Sequence, residues 1–143
     1  MRILKTITII PKESAFDEYF INNELFNSNI LDHNQGIKLS DQLMVIHERI
    51  INFKLIYRGS RDGYEPTNLI NAAKDFDFTI CVIKSNHNKI FGAYAPIKWQ
   101  ASTLATKMKD GHRSFAYFFD NKNLRVCHPR ADQTTNDVMY FNV

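Results

Sequence analysis

The stretch LIYRGSRDGYEP, residues 55–66, places two arginines, an aspartate and two glycines directly after an apolar run. PTNLINAAK continues from Pro66, which suits the first position of a helix, so the stretch is a predicted strand-to-helix turn. Glycine allows unusual backbone angles in such turns, and Asp62 can accept backbone N–H groups. We favour a structural turn with internal ion pairs. An anion cradle is the weaker alternative, because the P-loop ending and a GxGxxG pattern are absent.

The composition predicts a single globular domain. The chain has 143 residues, 44% of them hydrophobic and 13% aromatic, which is enough for a core of its own. Its net charge of +3 is uneven: residues 1–50 carry five Lys/Arg and seven Asp/Glu, and residues 51–143 carry thirteen and eight. So small a basic excess suits an acidic protein surface as well as nucleic acid, but the basic and aromatic mixture around Trp99 is a weak nucleic-acid feature, so we do not expect a nucleic-acid partner.

The location is predicted to be cytoplasmic and reducing. No apolar run approaches the roughly 20 residues of a membrane span, and acidic residues follow the first apolar run where a signal peptide would have its cleavage site. Cys81 and Cys127 lie in strand-like runs, so we expect two buried thiols and no disulfide.

Residues 1–36 are interpreted as an N-terminal extension and residues 37–143 as the main domain. The extension contains a predicted strand closed by Pro11, a short helix within residues 12–26 and an Asn-rich linker that ends at Gly36. Ser40 is the expected N-cap of a helix that runs to Phe53.

The rest of the sequence predicts antiparallel strands. Residues 78–84 and 89–97 are expected to pair across SNHN, and residues 114–119 and 123–128 across DNK. Because FTICVI and SFAYFF are largely apolar on both faces, we expect both to be inner strands covered on each side. The predicted fold class is α+β, with antiparallel β-sandwich-like sheets flanked by short helices.

Two ordered motifs resemble a protein family. LIYRGSRDGYEPTNLINAA followed by FTICVIKSNHNKIFGAYAPIKW is similar to the first half of the TLDc domain pattern. The matching residues are Gly59, Ser60, Arg61, Asp62 and Gly63 in the first motif, and Phe91, Gly92, Tyr94 and Trp99 in the second. Ala93 departs from the pattern, and the later Gly-Pro-x-Phe-Gly segment and closing strands have no counterpart before Val143, so the likeness covers roughly residues 39–143.

The resemblance implies a protein-binding module that has no cofactor and no agreed catalytic mechanism. TLDc proteins are associated with oxidative-stress resistance and with binding to the vacuolar proton-pumping ATPase (V-ATPase). Charge then selects the expected binding residues in the turn and in the loop after the second motif: Arg58, Arg61, Lys98, Lys107, Lys109 and Arg113.

A small hydrolase or redox enzyme that uses Arg61, Asp62 or Cys127 is the alternative. Such an enzyme needs a convergent acid, base or metal set, which the sequence does not offer. Cys127 and His128 are neighbours on one strand, so their side chains point to opposite faces. The five histidines have no zinc-ligand spacing with each other or with the cysteines.

Overall fold

The computed structural model describes residues 3–11, 25, 28–48, 51–96, 98–99 and 114–128. It contains the strands β1 (Ile3–Pro11), β2 (Ile51–Arg58), β3 (Thr79–Lys84), β4 (Ile90–Ala95), β5 (Phe115–Asp120) and β6 (Asn123–Cys127). The helices are α1 (His33–His47), α2 (Gly59–Asp62) and α3 (Pro66–Ala73). The predicted α+β fold with antiparallel strands is confirmed. The helix predicted within residues 12–26 falls outside the described residues, apart from the buried Leu25.

The described strands form one sheet in the order β2-β1-β3-β4-β5-β6, and all neighbours are antiparallel. Both predicted hairpins are present, as β3–β4 and β5–β6. In the second hairpin Asn121 and Lys122 have positive φ angles of 46° and 68°, as a tight two-residue turn requires. β1 lies between β2 and β3, so the first strand of the chain is an inner strand.

The helix before β2 begins earlier than predicted. Asp32 caps it: the Asp32 side chain accepts from the Gln35 N–H, and the Gln35 side chain accepts from the Asp32 N–H. This reciprocal capping box fixes the helix start. Ser40, the predicted N-cap, is buried in the middle of α1, and Gly36 lies in its first turn instead of ending a linker. The helix ends at His47, and Ile51 and Phe53, which the prediction placed in this helix, belong to β2.

One face of the sheet carries the core. Register aligns Ile80, Tyr94 and Phe115 across β3, β4 and β5, and all three are buried. Leu39 and Leu43 of α1 belong to the same hydrophobic cluster. A helix that covers one face of an antiparallel sheet is the usual way to bury both apolar surfaces.

The opposite face is partly open. β5 alternates between buried and exposed residues, and Phe91 and Phe118, which are partners in the register, are 40% and 45% exposed. The expectation that SFAYFF is covered on both sides is therefore wrong for its second face. Hydrophobicity alone misled the sequence interpretation, because it does not show which of two apolar faces meets the helix.

Candidate functional site

The GSRDG turn (Gly59–Gly63) connects β2 to α3. Its first four residues form the single helical turn α2, which closes with a 3.0 Å hydrogen bond from the Gly63 N–H to the Gly59 carbonyl. Gly63 has φ 95° and ψ 172°, a conformation that essentially only glycine adopts. A Cβ there would also lie 2.9 Å from Nδ2 of Asn68. The direction of the chain into α3 therefore depends on glycine at this position.

The Asp62 carboxylate organises the turn. Its Oδ2 accepts from the Arg58 backbone N–H at 2.8 Å and from Nη2 of Arg61 at 2.7 Å, and its Oδ1 accepts from Nε of Arg61 at 2.6 Å. The hydrogen bonds from Arg61 hold the pKa of this carboxyl below its ordinary value of 3.8, against the opposing effect of burial. Asp62 is thus engaged as an ionised acceptor within the turn.

Two further side chains close the turn from outside. Nδ2 of Asn68 donates to the Asp62 carbonyl at 3.0 Å, and the Tyr57 hydroxyl donates to the Gly63 carbonyl. Burial raises the pKa of Tyr57, with the Asp62 charge acting in the same direction, so this hydroxyl keeps its proton. The Asp62 carboxylate and the Asp62 and Gly63 carbonyls all bond to groups of the chain itself, which supports a structural role. The anion-cradle alternative loses its support, because a carboxylate already occupies the Arg58 N–H.

The second motif contains a close approach between strands. Gly92 of β4 lies beneath the Tyr117 ring, and the Tyr117 hydroxyl donates to the Cys81 carbonyl of β3 at 2.7 Å. A Cβ at Gly92 would lie 1.9 Å from that carbonyl oxygen and 2.7 Å from the hydroxyl. Burial raises the pKa of Tyr117 well above its ordinary value, so the hydroxyl remains a donor. Gly92 is the residue that lets β5 reach across β4 to β3.

Tyr94 and Trp99 also make specific polar contacts. The Tyr94 hydroxyl and Nε2 of His47 lie 2.9 Å apart, which joins the end of α1 to β4. The His47 ring meets Phe78 edge-on, with 4.9 Å between ring centroids. Nε1 of Trp99 donates to the buried Thr79 hydroxyl at 2.6 Å, which fixes the chain after β4 to the start of β3. The His47 contact has no local sequence signal, because its partner is 47 residues away.

The sequence matches a known protein family over most of the chain. The TLDc domain family model matches residues 25–142. The chain belongs to the TLDc domain family. No curated protein and no solved structure matches it. The family match begins before the N-cap of α1, and it supports the interpretation of this TLDc domain as a protein-interaction module.

The structure separates the basic residues expected to bind a partner. Lys5 of β1 lies opposite Arg58 of β2 on one side and opposite Val82 of β3 on the other. The GSRDG turn, which follows Arg58, therefore lies near the C-terminal end of β3. Lys98 follows β4 at the opposite end of the sheet, 3.9 Å from Asp77. The two groups therefore belong to different surfaces of this TLDc domain. Lys107, Lys109 and Arg113 lie outside the described residues.

Lys122 is not an isolated charge in a hairpin turn. Its Nζ lies 3.5 Å from the Asp32 carboxylate, and its carbonyl accepts from Nζ of Lys38 at 2.9 Å. The pKa of Asp32 is lowered, mainly by the hydrogen bond from the Gln35 N–H and also by Lys122. The β5–β6 turn is thus attached to the N-terminus of α1, and sequence spacing gave no indication of this contact.

The two cysteines differ in exposure. Cys81 is buried as predicted, but Cys127 is exposed, so the expectation of a buried Cys127 is wrong. Cys127 is the last residue of β6 and lies on the partly open face, opposite Ala116. It lines a surface cavity of about 350 Å³ together with Ala93, Tyr94, Ser114, Phe115, Ala116 and His128. A thiol at the edge of a cavity is accessible to reagents, which a core thiol is not.

The described ranges contain neither a metal-binding cluster nor a membrane-spanning helix. Within them, no group of three or more His, Cys, Asp or Glu residues is placed to hold a metal ion. Among the helices that the structure describes, none is long and apolar enough to cross a membrane. The exposed His87 lies in the β3–β4 turn, whereas His112 lies outside the described residues.

Proposed function

We propose that this TLDc domain is a non-enzymatic interaction module that docks on the V-ATPase and contributes to oxidative-stress resistance. Membership of the family supports the role as a protein-interaction module. The V-ATPase and the stress role come from the resemblance alone. No cofactor enters this proposal.

The proposal rests on one observation: the side chains of the two motifs form hydrogen bonds to other groups of the same chain. Asp62 accepts three hydrogen bonds from Arg58 and Arg61, Tyr117 donates to the Cys81 carbonyl, and Trp99 donates to Thr79. Groups committed in this way hold the fold together and do not converge on a position where a substrate atom could react. A rigid scaffold of this kind suits recognition through its surface.

The GSRDG turn offers the better of the two basic surfaces. The Arg61 side chain is 54% exposed, and its two-point contact with Asp62 holds the guanidinium in one orientation. A pre-oriented arginine loses less side-chain entropy when it meets a partner carboxylate. Lys98 is similarly exposed, but a flexible side chain with a 3.9 Å surface ion pair is a weaker recognition element.

The test measures association with purified V-ATPase by surface plasmon resonance at several salt concentrations. Arg58→Glu combined with Arg61→Glu should slow association and reduce its salt dependence, because charge acts mainly on the on-rate. Arg58 is half-buried, with its Nε shielded from solvent, so this double reversal can also disturb the fold. Arg61→Gln provides a milder second variant, and thermal midpoints identify any variant that has lost its fold.

Lys89→Glu is the matched control. Lys89 is exposed and immediately precedes β4. Three strand spacings separate β4 from β2 in the sheet, so the two strands lie about 14 Å apart at the usual spacing. This exceeds the Debye length of about 8 Å at physiological ionic strength. Folded wild-type protein that does not bind would contradict the proposed partner. An equal loss with Lys89→Glu would show that general charge, not the GSRDG turn, mediates docking.

The exposure of Cys127 keeps a thiol-based redox enzyme as the second candidate. A peroxidatic thiol needs a nearby base, and His128, which follows the last residue of β6, has its ring 6.0 Å from the ring of the core residue Phe115. We therefore expect purified protein to consume hydrogen peroxide no faster than its Cys127→Ser variant, with Cys81→Ala as the buried-thiol control. Peroxide turnover that disappears only in Cys127→Ser would establish the redox activity instead.

A further inference from the structure

The described sheet ends at β6, and no described strand pairs with the outer edge of this strand. β6 pairs with β5 on one side, from Asp120 opposite Asn123 to Ala116 opposite Cys127, and is the terminal strand in the sheet order. An unpaired edge carries backbone donors and acceptors that can bind another strand. Asn123, Arg125 and Cys127 are all exposed along it.

The backbone groups that face outward belong to two residues. In a hairpin with a two-residue turn, the residues that flank the turn exchange both hydrogen bonds, and the alternation continues along the ladder. Asn123, Arg125 and Cys127 therefore bond to β5, whereas Leu124 and Val126 direct their N–H and C=O groups to the open side. The side chains of Leu124 and Val126 are only partly buried against the core.

The charge of the edge is positive. Arg125 is exposed at the middle of β6 and has no ion pair within the described part of the chain. From Asn121 to His128 there is no acidic residue, and since Lys122 is paired with the Asp32 carboxylate at 3.5 Å, Arg125 supplies the positive charge of the edge. On the partly open face, Arg125 continues the register row of Phe91 and Phe118.

We propose that β6 binds an extended, acidic segment of a partner protein as an added antiparallel strand. The segment carries an aspartate or glutamate opposite Arg125, flanked on both sides by apolar residues opposite Leu124 and Val126. Main-chain hydrogen bonds supply the affinity, and the alternating side chains supply the specificity. This inference rests on the proposed role as an interaction module and assigns it a second surface, separate from the GSRDG turn.

A second copy of the chain is the less suitable occupant. Two β6 edges that overlap fully in antiparallel orientation place Arg125 opposite Arg125 of the other copy. Like charges directly opposite each other destabilise a strand pair. An acidic strand gains from the same geometry, because opposite charges across a pair are favourable.

The probe is a synthetic peptide of about seven residues, the length of an ordinary strand, with glutamate between two valines. A matched peptide carries lysine in place of the glutamate. Amide-resolved NMR and hydrogen exchange on the full chain should show shifts and new protection at the Leu124 and Val126 amides. The lysine peptide should bind about tenfold more weakly, because its charge meets Arg125.

Two variants test the mechanism. Arg125→Glu should reverse the preference between the two peptides. Val126→Pro removes an outward N–H, a change that an edge strand tolerates, and should weaken binding about tenfold through the lost hydrogen bond and the bulk of the ring. Lys54→Glu is the control, since Lys54 is exposed on β2 at the other edge of the sheet. Thermal midpoints verify that each variant is folded.

The outcomes separate this inference from the proposed function. Lack of peptide binding, shifts confined to the GSRDG turn, or a β6-mediated dimer in sedimentation experiments would overturn the inference. None of these results would contradict the proposed docking on the V-ATPase through Arg61. Protection of Leu124 and Val126 by the acidic peptide would support the edge site even if the V-ATPase does not bind.

Discussion

At Asp62 a single carboxylate holds the end of β2 and Arg61 in one arrangement. Asp62→Asn keeps the size of the side chain but removes the charge, so we expect the free energy of unfolding to fall by about 1 to 2 kcal/mol at neutral pH. The folded-state pKa is below 3.8, so the stabilisation is present above 3.8 and is lost as the pH falls through the folded pKa. Urea unfolding of both proteins between neutral and acidic pH checks this. The difference between them should shrink below pH 3.8, and a difference that stays constant with pH would contradict the role of the charge.

Gly63 has a backbone conformation that requires glycine. Gly63→Ala forces a Cβ into φ 95° and towards Asn68, so we expect a loss of about 1 to 3 kcal/mol in the free energy of unfolding. Ser60→Ala, at an exposed position of α2, should change stability by less than about 0.5 kcal/mol. If Gly63→Ala unfolds at the wild-type temperature but loses partner binding, the turn recognises the partner directly and its structural role is wrong.

Among the helices and strands, β4 depends most clearly on a glycine, Gly92, at a position where no side chain fits. Gly92→Ala would push against the Cys81 carbonyl and the Tyr117 hydroxyl at once, and we expect it to destabilise the protein by at least about 3 kcal/mol. Tyr117→Phe leaves the Cys81 carbonyl without its donor and should cost about 1 to 2 kcal/mol. Thermal unfolding of the two single variants and the double variant measures the coupling between them. Tyr117→Phe removes the contact with the hydroxyl but leaves the 1.9 Å contact with the Cys81 carbonyl, so the double variant should remain less stable than Tyr117→Phe alone. A double variant as stable as Tyr117→Phe would refute this explanation.

The elements also show what the sequence can predict. Both hairpins were predictable because SNHN and DNK are short turns between β-forming runs, and α3 because Pro66 stands at its start. The start of α1 was missed because the Asp32–Gln35 capping box competes with a plausible Ser40 cap, and only packing distinguishes the two. The contacts of Tyr117 with Cys81 and of Lys122 with Asp32 join distant segments, so no local pattern reveals them.

In the whole molecule, β1 determines whether the sheet is continuous. The domain boundary predicted after residue 36 assigns this strand to an N-terminal extension. In the structure, however, β1 pairs with β2 along one side and with β3 along the other. β2 and β3 are not neighbours, so without β1 the sheet separates into β2 alone and the β3–β6 portion. We propose that the independently folding unit includes residues 3–11.

Removal of residues 1–11 tests that proposal. The truncated chain leaves the inner edges of β2 and β3 unpaired, and the core residue Phe53 of β2 loses its place beside the rest of the sheet. Because a small domain unfolds cooperatively only when its core is continuous, we expect the single denaturant transition of the full chain to be replaced by a broad, shallow one. A chain that starts at residue 3 is the control and should keep the sharp transition. A truncated protein with the same midpoint and the same slope as the full chain would show that residues 1–36 are an extension, as the sequence alone suggested.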